Sequence, residues 1–335
     1  MGLMDWRLLV RVVVDGQDMS SRFRPMLSAL SITDSVGLES DELRIDLALG
    51  GLGGRMPFPR SGASIEVWLG AGFSAVRMGS YIADAFEASG PPDVMSISAK
   101  AAVYDGAGGT TGLQTAKSRS WPAGTTVVDL VGRIALEHGL RPAVGQSIRT
   151  MALDHLDQVD ESDINLLTRV ARDLGAFVKP ANAAIVFARL GESRSASGQP
   201  IAPVTLLPAD LSRWRVSRDA RELPRSCVAI WRDLAAAVDR EEVAGSGDPS
   251  LRLRHRFASQ AAARQAADAA LAKGRRGELV VSCELPGRAD LIAEGRVILP
   301  ALHPDLEGEW LLTRVEHRVG GGSGWITTFD AQLPE

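Results

Sequence analysis

A glycine-rich segment is the first place where this sequence could carry chemistry. Residues 105–112 read DGAGGTTG, and glycine-rich turns can present backbone amides to a phosphate group. A phosphate-binding loop also requires Gly-Lys-Ser/Thr at the start of a helix, but Lys117 lies too far along the chain, and a dinucleotide fingerprint requires glycine where Thr111 stands. We therefore predict a flexible connector here and no bound cofactor.

The spacing of histidines and carboxylates argues against a metal site. No two of the five histidines lie four residues apart, as two helical ligands of one ion would; they are His138, His155, His255, His303 and His317. An acidic run lacks the alternate-residue spacing and central glycine of a calcium loop; it comprises Asp154, Asp157, Asp160, Glu161 and Asp163. We predict no metal, a solvated loop and helix start at this run, and a helix end at His138, where a cation satisfies terminal carbonyls.

Nucleophilic and hydrolytic machinery has no signature in the sequence. There is no Gly-x-Ser-x-Gly elbow, and Cys227 and Cys283 lie in apolar strand-like runs without a basic pattern that would lower a thiol pKa. The carboxylate pair of a glycoside hydrolase is defined by its spatial separation, so 41 acidic residues leave that alternative open. We predict no catalytic residue and a protein that is not an enzyme.

The composition is that of an ordered globular protein. The 335 residues are 45% hydrophobic and 23% charged, which favours two or three domains rather than disorder. A net charge of −4 with scattered basic residues disfavours binding to specific nucleic acid. We expect no secretion signal, because no charged, apolar and cleavable pattern opens the sequence, and no apolar run approaches the ~20 residues that cross a bilayer. We expect folding in a reducing cytoplasm and no direct membrane insertion.

The elements that would position any site change character along the chain. Up to about residue 105, apolar and polar residues alternate in runs such as the one from Trp6 to Val14, which ends at the turn signal Asp15-Gly16. Two helices are predicted next: one is capped by Thr126 and Asp129 and stops at Gly139, and the other follows the acidic run and stops at Gly175. A hairpin about 180–182 follows, and an Ala-rich helix is predicted at 259–273.

An internal repeat links the two ends of the chain. The segments GSYIADAFE at 79–87 and GEWLLTRVE at 308–316 share a glycine, a polar residue, an aromatic, an apolar strand and a closing glutamate. A turn and a second alternating strand follow each segment, at an offset of about 230 residues in both copies. We interpret this pattern as a duplicated β domain with an α+β unit between the copies.

Two central segments carry a family resemblance, SRSWPAGTTVVDLVGRIALEHGLRP (118–142) and QVDESDINLLTRVARDLGAFVKPANAAIVFAR (158–189), and it continues from His255 to the C-terminal strands. These segments resemble the phage late-control D family, the hub proteins of contractile tails, which are related to the hub part of type VI secretion spike proteins. The signature and repeat residues are Trp121, Gly124, Thr126, Asp129, Glu161, Ser162, Asp163, Gly175, Gly79, Tyr81, Gly308 and Trp310.

The resemblance implies a mainly β fold in which two similar β-barrel domains flank a small α+β domain. The expected boundaries are 1–117, 118–189, a linker at 190–203, and 204–335 with the Ala-rich helix. It also implies a homotrimeric baseplate hub whose barrels form a pseudo-sixfold ring between a trimeric spike and a hexameric tail tube. The expected partners are the chain itself, the tail spike, the tube protein or tube initiator and other baseplate proteins, in a virion or tail-like particle assembled in the bacterial cytoplasm. Because the chain ends soon after the second barrel, we expect the spike to be a separate chain and no fused lysozyme domain.

Two alternatives belong to other classes of protein. The unit PAGTTVVDLVGRIALEHGL also resembles the start of a LysM-like module, which would make the chain a peptidoglycan-binding tail factor. A tail-associated hydrolase is the other alternative, and it rests only on the abundance of acidic residues.

Overall fold

The chain is described from a computed structural model. The described residues are 8–37, 41–50, 57–72, 74–101, 112–181, 184–189, 191–192, 201–218, 223–276, 279–303, 306–320 and 324–334. Trp6, the glycine-rich segment up to residue 111 and most of the expected linker, including residues 193–200, lie outside this part.

The first third of the chain is a β unit, as the alternating pattern predicts. Its elements are β1 (Leu8–Val14), β2 (Gln17–Asp18), α1 (Ser20–Phe23), β3 (Leu27–Ser35), β4 (Glu42–Ala48), β5 (Ser64–Ala71), β6 (Ser74–Ser89) and β7 (Val94–Ala101). Asp15 and Gly16 both have positive φ and form the two-residue turn between β1 and β2. Alternate residues of β4 and β5 are buried in one core, as a sheet with one solvated face requires.

The middle of the chain is the α+β unit. Its elements are β8 (Ala116–Trp121), α2 (Val127–Glu137), β9 (Arg141–Val144), β10 (Leu156–Ser162), α3 (Asp163–Asp173), β11 (Ala176–Ala181) and β12 (Ala184–Arg189). Strand β10 pairs with β8, while β12 pairs with β11 on one side and with β9 in parallel on the other. The two helices contribute their apolar faces to a single core with Trp121 and Phe187.

Both predicted helices of this unit begin and end where the sequence indicates. The Thr126 hydroxyl accepts a hydrogen bond from Asp129 N, and the Ser162 hydroxyl accepts one from Asn165 N, so each caps its helix. Gly175 follows α3 with φ of +64°, and a Cβ atom there would lie 3.1 Å from Ala269 Cβ. Glycine at this position therefore serves both the left-handed turn and a close helix contact.

The last part of the chain contains a second β unit and an insertion. The elements are β13 (Val204–Thr205), a 3-10 helix (Pro208–Asp210), β14 (Arg213–Arg218), β15 (Ser226–Asp233), β16 (Val238–Gly245), β17 (Ser250–Phe257), α4 (Gln260–Arg276), β18 (Leu279–Pro286), β19 (Arg296–Leu299), β20 (Gly308–Gly320) and β21 (Trp325–Gln332). The Ala-rich helix α4 packs on the sheet β16-β15-β17, and together they form a separate core of mostly small residues. Sequence patterns did not distinguish this unit from the β domain around it.

A continuous sheet joins the two β units. Its strand order is β14-β18-β21-β20-β3-β4-β7-β6-β5-β1-β2, and β19 and β13 branch from β20. The connection is the antiparallel pair of β20 with β3, from Arg314 opposite Ser35 to Gly320 opposite Ala29. The mainly β class with an α+β insert is thus confirmed, whereas closure of each unit into a barrel stays a prediction. No helix among the described residues is long and apolar enough to cross a membrane.

Replacing Thr126 with alanine removes the side-chain acceptor that caps α2. We expect Thr126→Ala to lower the free energy of unfolding by about 1 kcal/mol, the usual cost of losing such a cap. Thr126→Ser keeps the hydroxyl and is the matched control. Urea denaturation measures both variants, and an unchanged midpoint for Thr126→Ala would show that the cap contributes nothing.

Candidate assembly site

Asp163 is the centre of a buried charge cluster in the α+β unit. Its side chain is fully buried, and its oxygens lie 2.6 Å from Lys117 Nζ, 2.6 Å from Arg119 Nη2 and 2.8 Å from His138 Nε2. Gln158 Nε2 donates a fourth hydrogen bond at 2.8 Å. The expectation of a solvated acidic run is therefore wrong for Asp163, because β8, β10 and the end of α2 close around the first residue of α3. The His138 side chain contacts this carboxylate, whereas its place at a helix end predicted an interaction with the terminal carbonyls of α2.

These donors hold the Asp163 carboxylate in its ionised form. Burial alone would raise its pKa, but hydrogen bonds from His138, Lys117 and Gln158 and the charge of Arg119 lower the pKa of Asp163 to about 2. Glu137 and His138 lie close enough to Asp163 to suggest a metal site. Lys117 and Arg119, however, already bind both Glu137 and Asp163 at 2.6 to 3.1 Å, so the cations of the protein occupy the positions that a metal ion would need.

Lys179 forms a second buried cluster where all three units meet. Its Nζ lies 2.7 Å from Asp34 Oδ1 and 2.8 Å from Asp41 Oδ1, both in the first β unit, while Lys179 itself belongs to β11 of the α+β unit. Asp34 Oδ2 accepts a hydrogen bond from Ala293 N of the second β unit at 2.8 Å. The neighbouring Glu294 has one buried carboxylate oxygen without a hydrogen-bond partner among the described residues. One charge network therefore fixes the three units against each other.

The carboxyl groups in this junction differ in their pKa because burial raises the pKa of each of them, and the opposing effects, chiefly of Lys179, outweigh burial only at Asp34. Burial opposes ionisation of Asp34, yet Lys179 holds its pKa below the ordinary value. Burial and the negative charge of Asp34 raise the pKa of Asp41 to about 7, and burial is also the main reason that the pKa of Glu294 rises to about 8. His317 lies buried nearby, and burial lowers its pKa to about 4.

The two β units share one strand order. In the first unit the order is β3-β4-β7-β6-β5-β1, and in the second it is β14-β18-β21-β20-β19-β13. The last pair differs in direction, because β1 is antiparallel to β5 whereas β13 is parallel to β19. The hairpins singled out in the sequence, β6 with β7 and β20 with β21, occupy the same place in each order, and each contains one register shift. The shift leaves Asp84 out of the first pairing and Thr313 out of the second, at the same distance from Gly79 and Gly308.

The repeat residues take equivalent positions in these hairpins. Tyr81 and Trp310 each point into the core of their own unit, with exposed fractions of 2% and 1%. Trp310 Nε1 donates a hydrogen bond to Leu306 O at 2.8 Å. The central signature residues are placed in the α+β unit, where Trp121 packs under Arg119 and Glu161 forms an ion pair with Arg169 at 2.8 Å. Gly124 has φ of +89° in the turn that leads to Thr126.

Two strand edges have no strand partner in the described part of the chain. Strand β14 is the terminal strand of the pathway, and β5 pairs with β6 only as far as Ile82. Beyond the hydrogen bonds between residues 62–63 and Ala83, no strand of the described part of the chain pairs with this side of residues 84–89. Edges of this kind invite pairing with another chain. Sequence periodicity predicted the strands, but it carries no signal for which edges stay unpaired.

One face of the joined sheet carries polar side chains on strands of both β units. Ser282 bonds Asp330 at 2.6 Å on the second unit, and Glu316 lies between Arg314 and Arg318 on the connecting strand. On the first unit, Ser96 donates to Asp46 at 2.6 Å. The opposite face carries the apolar cores. A solvated, hydrogen-bonded face over so many strands suits a wall that faces water rather than a catalytic cleft.

Comparisons with known proteins agree on one kind of protein. A family model described as phage tail baseplate hub (GPD) matches residues 110–323. A probable baseplate hub protein of Escherichia phage 186 is 29% identical over 366 residues, which cover 96% of this chain and 92% of that protein.

Solved structures share the fold. A tail protein from Neisseria meningitidis MC58 has a TM-score of 0.71 at 14% identity, with 98% of this chain and 97% of that chain covered. An Escherichia coli component of the type VI secretion system, described as similar to T4 bacteriophage tail proteins, has a TM-score of 0.57 at 10% identity, with 98% and 77% covered.

Removing the charge of Asp163 leaves Lys117 and Arg119 with a missing partner. We expect Asp163→Asn to lower the free energy of unfolding by about 3 to 5 kcal/mol at pH 7, as breaking a buried pair does. The pKa of Asp163 is lowered on folding, so its contribution is present above about pH 4 and is lost as the pH falls toward 2. The difference between the variant and the parent should therefore shrink in that window. Asp160→Asn, at an exposed position, is the control, and a pH-independent difference in urea denaturation would contradict the account.

Replacing Glu294 with glutamine mimics its protonated form. The pKa of Glu294 is raised on folding to about 8, so its contribution is present below about pH 4.5 and is lost as the pH rises through 8. We expect the Tm of Glu294→Gln minus that of the parent to increase from pH 5 to pH 9, measured by differential scanning calorimetry. The exposed Glu42→Gln should follow the parent at both pH values. An equal difference at pH 5 and pH 9 would show that Glu294 ionises as freely in the folded as in the unfolded chain.

Proposed function

The chain belongs to the phage tail baseplate hub family, and from that premise we propose that it is the homotrimeric hub that joins a trimeric spike to a hexameric tail tube. The match to the family confirms the resemblance noted in the sequence. The trimer, its ring and its particular neighbours are the proposal, and one observation carries them. Each chain contains two β units with the same strand order and the same register shift.

Symmetry explains why such a chain would serve at this position. A threefold spike cannot bind equivalently to a sixfold tube unless each of the three chains offers two similar surfaces. Three copies with two β units each provide six, and contacts that repeat head to tail close around a ring. The ring would then present threefold features to the spike and sixfold features to the tube protein or tube initiator, with other baseplate proteins around it.

The charge clusters support a structural role over an enzymatic one. Asp163 is held by four donors, and Lys179 is held by the carboxylates of the first unit, so the charges at the centres of both clusters are used in contacts within the protein. The residues of the LysM-like segment are likewise used within the fold, because Thr126 caps α2 and Val127, Val131 and Ile134 are fully buried. We propose that the protein is not an enzyme and acts in the baseplate of a contractile phage tail or tail-like particle, which assembles in the bacterial cytoplasm.

Light scattering tests the trimer directly. We expect the purified chain to show a monomer–trimer mixture, with the trimer near 107 kDa, three times 35.6 kDa. Adding the spike chain from the same gene cluster should shift the mixture to one hub trimer per spike trimer, because a trimeric template favours weak ring contacts.

Peptidoglycan sacculi serve as the control for the alternative classes. The chain should stay in the supernatant and release no soluble fragments. A dimer or hexamer that ignores the spike would contradict the hub assignment, and saturable binding to sacculi would favour the wall-binding alternative.

A further inference from the structure

The way in which β20 joins the two β units suggests how a second pair of strands could join two copies of the chain. In β20, the first residues pair with β19, from Gly308 to Leu311, and the residues from Arg314 onward pair with β3 on the same side of the strand. The long strand of the second unit therefore extends past its own neighbour and takes the first strand of the other unit as a partner.

In the first β unit, β6 makes the pairing that corresponds to β20 with β19, but not the pairing that corresponds to β20 with β3. Strand β6 pairs with β5 as far as Ile82 and then continues to Ser89. Its residues 84–89 correspond to the part of β20 that pairs with β3. In the second unit, β14 corresponds to β3, because each is the strand that begins the shared order. The two open edges are thus the counterparts of the two edges already joined within the chain.

We propose that residues 84–89 pair, antiparallel, with β14 of a second copy of this chain. The inference rests on the ring of the proposed function and specifies its contact between chains. The β units of one chain are then joined by the strand pair of β20 with β3, and neighbouring chains are joined by the strand pair of β6 with β14. Alternation of these two contacts closes a ring of three chains.

The strand ladders fix the register of this contact. In the first unit, Ser31 lies opposite Arg44, Arg44 opposite Ser98, and Ser98 opposite Ala85, the residue after the register shift. In the second unit, the same steps lead from Arg215 through Ser282 and Asp330 to Arg314.

Ser31 is therefore the counterpart of Arg215, and Arg318, four residues after Arg314, is the counterpart of Ser89. Within the chain Arg318 faces Ser31, so between chains Ser89 faces Arg215 and Ala88 faces Val216.

The side chains of the two edges suit this register. Glu87 would lie on the polar face, diagonal to Arg215, where opposite charges attract. Ala88 and Val216 would lie on the apolar face with Trp214, which is 38% exposed. Their counterparts in the joined pair are buried: Leu30, the counterpart of Trp214, is 1% exposed, and Ile32, the counterpart of Val216, is 2% exposed. Pairing with residues 84–89 of a second copy would bury Trp214 and Val216 in the same way.

A disulfide tests the pair and its register together. In the double variant Ala88→Cys/Val216→Cys, directly opposed Cα atoms would lie about 4.5 to 5.5 Å apart, within the range that a disulfide spans. The two positions are seven strands apart, about 34 Å measured along the sheet of one chain at the usual spacing, and a covalent oligomer on non-reducing gels shows that the bond joins different copies. The matched control Ala88→Cys/Ser217→Cys places the second thiol on the opposite face of β14. Circular dichroism checks that the variants fold.

After mild oxidation, we expect a covalent trimer on non-reducing gels, reversed by dithiothreitol, with at least tenfold less in the control and in each single variant. If light scattering shows a trimer but the double variant does not cross-link, or the control cross-links equally, the proposed strand pair is wrong and the hub assignment still stands. If the gel shows covalent oligomers of more than three chains, the strand pair is supported and the closed ring of three is wrong. A chain that stays monomeric even with the spike overturns both.

Discussion

The arrangement of this protein depends on strand β3. Its backbone pairs with β4 of its own unit on one side and with β20 of the second β unit on the other, so residues near the two ends of the chain share one sheet. The same strand carries Asp34, which accepts hydrogen bonds from Lys179 Nζ of the α+β unit and from Ala293 N of the second β unit. Hydrogen bonding along β3 sets the register between the units, and the buried charge at Asp34 fixes the third unit against that seam.

The two charge clusters act on different scales. The Asp163 cluster is local: it closes the α+β unit around the N-terminus of α3, where the helix dipole also favours a carboxylate. The Lys179 cluster lies between units and contains more acids than lysines. Burial, together with the negative charge of Asp34, raises the pKa of Asp41 and Glu294. A junction of that kind restricts which orientations of the units are possible, because a shift of any unit would leave a buried charge without its partner.

Local patterns in the sequence predicted the local structure, but they did not predict contacts between residues far apart in the sequence. The caps at Thr126 and the stops at Gly139 and Gly175 depend on neighbouring residues, so periodicity and capping rules were sufficient. The repeat placed Tyr81 and Trp310 in equivalent hairpins because the constraint acts on a few consecutive residues. The burial of Asp163 was missed, since its partners Lys117 and Arg119 reach it through strand pairing rather than sequence spacing. The seam at β3 and the separate core under α4 have no sequence signal, because pairing between distant strands depends on tertiary structure.

The central claim is that two equivalent β units in each of three chains form one ring. Electron cryomicroscopy of the assembled particle tests it most directly. The account predicts a ring of six β units in which the first and second unit of each chain alternate, and in which residues 84–89 of one chain lie beside β14 of the next. A ring in which first units contact only first units, or one in which these two edges face solvent, would contradict it.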